Sequence, residues 1–257
     1  MDNALLGIVQ GLTEFLPISS SGHLVIFQNL FGEKSEGTLL EVLLHLGTFM
    51  ATIVVFRQKI KELLVGLIRR KKEETQETGL ILLACLPTGL IGILAADWLS
   101  SLFESPIAVF YAMIFTALLL WSTRYIPPNR KTSPLNWKKA FAIGVIQGIA
   151  IIPGISRSGS TICGALHMGV DRKRSGEFSF LISLPAIAGA VLLDLIKLAK
   201  HGAQDVVIDG SVIFAIFLSF AVGLFALLWL LKFVQQGRMH LFAPYVLLVG
   251  MWGLWYF

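Results

Sequence analysis

Charge is what this 257-residue chain has least of: 14% of its residues are Asp, Glu, Lys or Arg, where an ordinary soluble domain carries about 25%. Together with 55% hydrophobic residues and a mean hydropathy of +0.76, that shortage excludes an ordinary soluble domain and implies a polytopic membrane protein. Cysteine is nearly absent. Cys85 and Cys163 both lie in apolar surroundings, and free thiols packed as small apolar side chains are expected rather than a bridge. No metal-ligand spacing such as HExxH, no P-loop and no GxGxxG occurs, which argues against a nucleotide cofactor. A basic leader is also lacking, and the first apolar stretch runs directly into Glu14 and a serine cluster. The N-terminal helix is therefore expected to belong to the fold rather than to a cleaved signal.

Long apolar runs are plentiful. A helix needs about 20 apolar residues to cross the hydrocarbon, and six stretches qualify: 38–56, 80–99, 106–123, 176–198, 212–231 and 241–257. The net charge of +5 does not point to nucleic acid, because the basic residues sit in short loops between these stretches. They fall in four groups, within 57–72, 124–139, 172–174 and 232–238. Residues 60–68, inside the first group, read as an amphipathic helix on the cytoplasmic surface.

One unusual segment occurs twice. Residues 7–23 align without a gap on residues 144–160 at an offset of 137, pairing Gly7, Gln10, Gly11, Ser19, Ser21 and Gly22 with identical residues. In each copy a helix too short to cross, residues 3–16 or 138–152, reaches a Pro/Gly break and is followed by a second short apolar piece, 22–31 or 159–170. Broken backbone at membrane depth survives only where it lines a protein-walled cavity, so each copy reads as a re-entrant hairpin. That arrangement puts all four basic groups on one side, leaving Lys34, Lys197 and Lys200 on the other, and the rich side is the cytoplasm. It also makes the hairpins enter from opposite faces. The expected fold is an all-α polytopic membrane protein with six transmembrane helices plus two re-entrant helical hairpins related as an inverted-topology repeat. It forms a single domain over 1–257, with halves of about 1–125 and 138–257.

The breaks carry the chemistry. Ser156, Arg157, Ser158, Gly159, Ser160 and Thr161 supply a fixed cation, hydroxyls and the amides of a helix N-terminus, the parts of a phosphate cradle. An arginine at membrane depth costs about 2.5–3.5 kcal/mol on the permissive insertion scale, so it needs an anionic partner: a substrate, Glu14 or Glu177. The first break supplies Glu14, Ser19, Ser20, Ser21 and His23. A carboxylate can hold a divalent metal or move a proton, an imidazole can act as nucleophile or base, and a serine can attack or bind phosphate. By the repeat symmetry His23 is expected to face Arg157. His45, His167, His201 and His240 are expected to be structural or interfacial, and Glu41 and Glu177 to begin comparable helices. Gln10 and Gln147, at equivalent places, can cross-bond the halves or help hold a metal.

Two long motifs in order, Gln10-Gly11-Leu12-Thr13-Glu14-Phe15-Leu16-Pro17-Ile18-Ser19-Ser20-Ser21-Gly22-His23 and Pro153-Gly154-Ile155-Ser156-Arg157-Ser158-Gly159-Ser160-Thr161, resemble both signatures of a known family, the bacterial undecaprenyl pyrophosphate phosphatases, also called bacitracin-resistance proteins. The resemblance implies hydrolysis of a polyisoprenyl pyrophosphate to the monophosphate and inorganic phosphate, recycling the lipid carrier for cell-wall synthesis. It implies a divalent cation, magnesium or calcium, a multi-pass location in the bacterial cytoplasmic membrane and a site opening to the extracytoplasmic side. Its partners are the lipid substrate and the surrounding membrane, and a homodimer is left open. Carried over, His23 and Ser20 form a nucleophile and base pair in either order, and Glu14 serves metal or proton transfer. Ser156, Arg157 and Thr161 bind the pyrophosphate, with Ser19, Ser158 and Gly159 beside them. Many members have Glu where this chain has Gln10, and the lost charge leaves Glu14 the stronger metal ligand. Inverted repeats with broken helices are also a transporter signature, so a polyprenyl phosphate flippase is the alternative. The imidazole, carboxylate and serine favour an enzyme, because an anion carrier needs no nucleophile.

Overall fold

The computed structural model describes residues 3–31, 39–201 and 209–257. Among the described residues 84% are helical and none is in a strand. Two short helices, α1 (Asn3–Phe15) and α2 (Ser20–Phe31), precede α3 (Leu39–Ile68), α4 (Lys72–Leu94), α5 (Ala96–Phe103) and α6 (Pro106–Ser122). A second short pair, α7 (Trp137–Ile149) and α8 (Arg157–His167), precedes α9 (Arg172–His201), α10 (Gly210–Gln235) and α11 (Ala243–Tyr256). Six segments are long and apolar enough to cross a membrane: Leu39–Ile68, Lys72–Leu94, Pro106–Tyr125, Arg172–Leu193, Gly210–Gln235 and Met239–Tyr256. The chain is a multi-pass membrane protein. Leu82, Leu86, Leu90 and Ile93, at near-helical spacing on α4, are all exposed, as a face turned to lipid should be.

Three boundaries differ from expectation. Residues 60–68 are helical, but as the end of a 30-residue α3 and not as a separate surface helix, because Arg57, Gln58 and Lys59 are good helix formers that carry the span onward. The second span starts at Lys72 and stops at Leu94. After Ala95 a new short helix begins with Asp97 in its first turn, where the helix dipole favours an acid. The fourth helix starts four residues early, at Arg172. Lys34 and Thr38 lie outside the described residues, as do the side chains of Lys197, Lys200 and His201.

The first helix of each short pair packs against a long helix of the opposite half. On α1, a Cβ at Gly7 would stand 2.3 Å from the Ala215 carbonyl oxygen of α10, and one at Gly11 2.8 Å from that of Ser219. On α7, a Cβ at Gly144 would stand 2.1 Å from the Ala84 carbonyl oxygen of α4. Small residues let backbones approach this closely where the solvent supplies no hydrophobic drive between helices. Hydroxyls then bond across the seams: Thr88 Oγ1 donates to the Gly144 carbonyl at 2.9 Å, and Ser219 Oγ to that of Leu44 at 2.8 Å.

Where the pairs start and end is also fixed. The Ser133 amide, just ahead of α7, donates to the Gly169 carbonyl just past α8 at 2.9 Å, and Arg130 Nη2 donates to the His167 carbonyl at 3.0 Å. The second pair thus begins and finishes at one end of the bundle. Lys59, Glu77 and Arg174 meet in one ion-pair cluster tying α3, α4 and α9 together. The start of α1 lies instead beside the start of α10, with Asn3 Nδ2 donating to Ser211 Oγ at 2.7 Å. Asp209 caps α10, and hydrogen bonds from the Ser211 hydroxyl and the Val212 amide hold its carboxyl below the usual range.

The close seams yield a stability prediction. Gly144→Ala and Gly7→Ala are expected to destabilise the protein by about 1–3 kcal/mol through overpacking. Gly89→Ala, where an added Cβ meets nothing within 4 Å, should be neutral or stabilising by up to about 1 kcal/mol. Thermal unfolding of the detergent-solubilised variants checks the ordering.

Candidate active site

The repeated residues build two matching turns. Ser19 Oγ accepts the Gly22 amide at 3.1 Å, and at the equivalent place Ser156 Oγ accepts the Gly159 amide at 3.2 Å. Each capping serine also touches the hydroxyl two residues on, Ser21 at 3.2 Å and Ser158 at 3.3 Å. These are helix N-caps satisfying otherwise orphaned amides. Positive φ closes both turns, at Ser19 (68°) and Gly154 (92°). A Cβ at Gly154 would also meet the Val109 carbonyl oxygen at 2.2 Å.

The two turns are stitched to each other. Ser158 Oγ donates to the Phe15 carbonyl at 2.9 Å, and the Gly154 amide donates to Ser21 Oγ at 3.2 Å. Pro17 lies over Gly159, whose added Cβ would be 3.1 Å from the proline ring. Across this seam Arg157 Nη2 donates to Glu14 Oε1 at 2.6 Å, with both side chains largely buried. Arg157 therefore pairs with Glu14, while Glu177 stands 3.9 Å from both Lys173 and Arg174.

Glu14 is the hub. Its Oε2 accepts from Ser20 Oγ at 3.1 Å and from Gln10 Nε2 at 3.3 Å, and His45 Nε2 stands 3.7 Å away. Arg157 Nη1 is buried and meets no acceptor among the described residues, so the guanidinium keeps a donor for an incoming anion. Beside Ser20 lies a small pocket of about 30 Å³. Its walls are Leu6, Val9, Leu24, Phe27, Leu40 and Leu44, with Gln10, Thr13, Ser20, Glu41 and His45 as the polar rim. A charged centre and an apolar slot thus adjoin, which suits an amphiphile with an anionic head.

Not every expected residue reaches this centre. His23 is buried and does not turn to Arg157: its Nδ1 pairs with the Ser19 carbonyl and its Nε2 with the Tyr245 hydroxyl, both at 2.8 Å. Its partner Tyr245 lies 222 residues away, beyond the reach of any local pattern. Thr161 is buried behind Arg157, its hydroxyl bonded to the Arg157 carbonyl at 2.8 Å and to Ser179. Ser19, Ser156, Ser158 and Gly159 are buried in the turns themselves. Conversely, His45 is no isolated structural histidine. Its Nδ1 pairs with the Glu41 carbonyl at 2.9 Å, which points Nε2 at Glu14. Its only sequence signal is the spacing of four from Glu41. Gln147 is fully enclosed, donating to Thr88 Oγ1 at 3.2 Å, so it bonds helices together. His167 Nε2 meets Ser122 Oγ at 2.7 Å, and His240 lies in the turn Met239–Phe242. Cys85 and Cys163 are both free.

A family model described as bacitracin resistance protein BacA matches residues 3–252. The chain belongs to this family. Among its relatives, proteins named undecaprenyl-diphosphatase are 40% identical in Desulfatibacillum aliphaticivorans, over 97% of this chain and 96% of that one, and 41% identical in Halothermothrix orenii, over 95% and 93%. One from Korarchaeum cryptofilum is 38% identical over 96% and 95%.

The ion pair makes its own prediction. Arg157→Ala strands a buried carboxylate and should cost about 3–5 kcal/mol of stability. Adding Glu14→Gln removes the stranded charge and should recover a substantial part of the loss. Denaturant unfolding of the single and double variants measures it.

Proposed function

We propose that this protein is an undecaprenyl-diphosphate phosphatase, removing the terminal phosphate of a polyisoprenyl pyrophosphate and returning the monophosphate carrier to cell-wall synthesis. The observation that carries the reading is the contact of Ser20 Oγ with Glu14 Oε2, beside a guanidinium with a spare donor. Phosphoryl transfer needs an in-line nucleophile and neutralisation of the equatorial oxygens. Ser20 is the nucleophile and Glu14 its base, since both ring nitrogens of His23 are already engaged. Arg157 binds the diphosphate through Nη1. An anion there competes with Glu14 for the guanidinium and frees the carboxylate to take the Ser20 proton. Ser20 Oγ then attacks the terminal phosphorus, the bridging P–O bond breaks, and the lipid monophosphate departs. Glu14 passes that proton to the departing monophosphate; water then attacks the phosphoserine, and Glu14 takes the water proton and returns it to Ser20 Oγ as the serine P–O bond breaks and inorganic phosphate leaves. The apolar walls beside Ser20 take the first part of the isoprenoid tail.

A divalent cation fits this centre as a guest of the substrate. Glu14 offers its carboxylate, and Gln10, donating through Nε2, keeps its carbonyl oxygen for a cation. Two protein oxygens are few for calcium, which takes six to eight, and suit magnesium, which keeps water and substrate phosphates around it. Bound there, it would neutralise diphosphate charge.

The same reading places the two short helix pairs as oppositely inserted re-entrant hairpins in the bacterial cytoplasmic membrane. Supporting this are the hydrogen bonds joining the two ends of the second pair and the start of α1 beside the start of α10. The Lys59, Glu77 and Arg174 cluster marks the cytoplasmic end, and the pocket opens outward. The centre is assembled within one chain, so a homodimer is not required.

Ser20→Ala and Arg157→Ala are each expected to lower phosphate release from farnesyl or undecaprenyl pyrophosphate in detergent by at least about a thousandfold. Both should remain membrane-inserted. Chelation should abolish turnover and magnesium restore it. Hydrolysis with no membrane present separates an enzyme from a carrier; near-normal turnover by either variant would sink the assignment.

A further inference from the structure

His23 sits one turn beyond Ser19, and its surroundings fix its chemistry. A carbonyl can only accept, so the 2.8 Å contact with the Ser19 oxygen requires the hydrogen on Nδ1. In the neutral ring Nε2 is then the acceptor, and the Tyr245 hydroxyl at 2.8 Å is its donor. The tyrosine ring also lies nearly parallel to the imidazole, 11° between planes and 5.7 Å between centroids. Ser19 itself adopts φ 68°, a left-handed conformation costly for a residue with a side chain. Its carbonyl takes two donors, the His23 ring and the His23 amide at 3.2 Å. That carbonyl belongs to the peptide unit joining Ser19 to Ser20.

We propose that Tyr245 is a positioning residue: by donating to His23 Nε2 it holds the imidazole in its Nδ1–H form against the Ser19 carbonyl, and so sets the peptide that aims Ser20 at Glu14. His23 accordingly acts as a brace for the strained turn and not as nucleophile or base. Tyr245 lies in the first turn of α11, so the last helix of the chain reaches the first break through this one side chain. The inference rests on Ser20 being the attacking group.

Tyr245→Phe removes the hydroxyl and keeps the ring. In the full-length protein labelled with 15N-histidine in micelles, His23 should show a protonated Nδ1 and an unprotonated Nε2, and Tyr245→Phe should shift it toward a mixture of tautomers. The substitution should lower kcat about three- to tenfold with KM within about twofold. In a His23→Ala background it should change kcat by less than about twofold, because a residue acting only through His23 has nothing left to hold. A wild-type His23 protonated on Nε2, an unchanged kcat, or the same loss in both backgrounds would overturn the proposal. Full turnover by Ser20→Ala would remove the nucleophile instead, leaving the tautomer and the coupling to be read independently.

Discussion

One ion pair organises this molecule. Neither Glu14 nor Arg157 is tolerable alone where it is buried, because an unpaired buried charge costs several kcal/mol, and burying two charges is repaid only with close geometry and further hydrogen bonds. Their 2.6 Å contact therefore requires two broken helices to meet tip to tip. Much of the rest serves that meeting: the glycine seams that let α1 and α7 sink against α10 and α4, the capped turns, and the reciprocal stitches through Ser158 and Ser21. Gln10, Ser20 and His45 complete the carboxylate's surroundings, so the most costly group in the fold is also its best-solvated by protein.

The apolar runs made the spans legible, and the repeated segments marked the two breaks. Gly7, Gly11 and Gly144 allow close helix approach, while Ser19 and Ser156 each cap a helix start from different backbone conformations, φ 68° and −72°. The copies differ where the charges lie: Glu14 aligns with Ile151, Ser20 with Arg157 and His23 with Ser160, so the carboxylate belongs to one segment and the guanidinium to the other. Of the shared serines, Ser19 and Ser156 cap helices, while Ser21 and Ser158 bond one turn to the other.

What could not be read locally was contact between distant segments. His45 lies on an apolar helix with only the spacing of four from Glu41 to mark it, yet helix α3 carries it to Glu14. Tyr245 meets His23 across 222 residues, a pairing without periodicity or motif. The continuity of α3 and the stop at Ala95 were missed for a different reason: hydropathy marks what lies in lipid, whereas backbone propensity and local charge decide where a helix ends.

The cross-packing of the halves bears on how the protein is made. Because α1 rests on α10 and His23 waits for α11, the first break stays unfinished until the final fifth of the chain has left the ribosome. The first break is thus made well before the helices that complete it, so its final shape waits on segments far along the polypeptide.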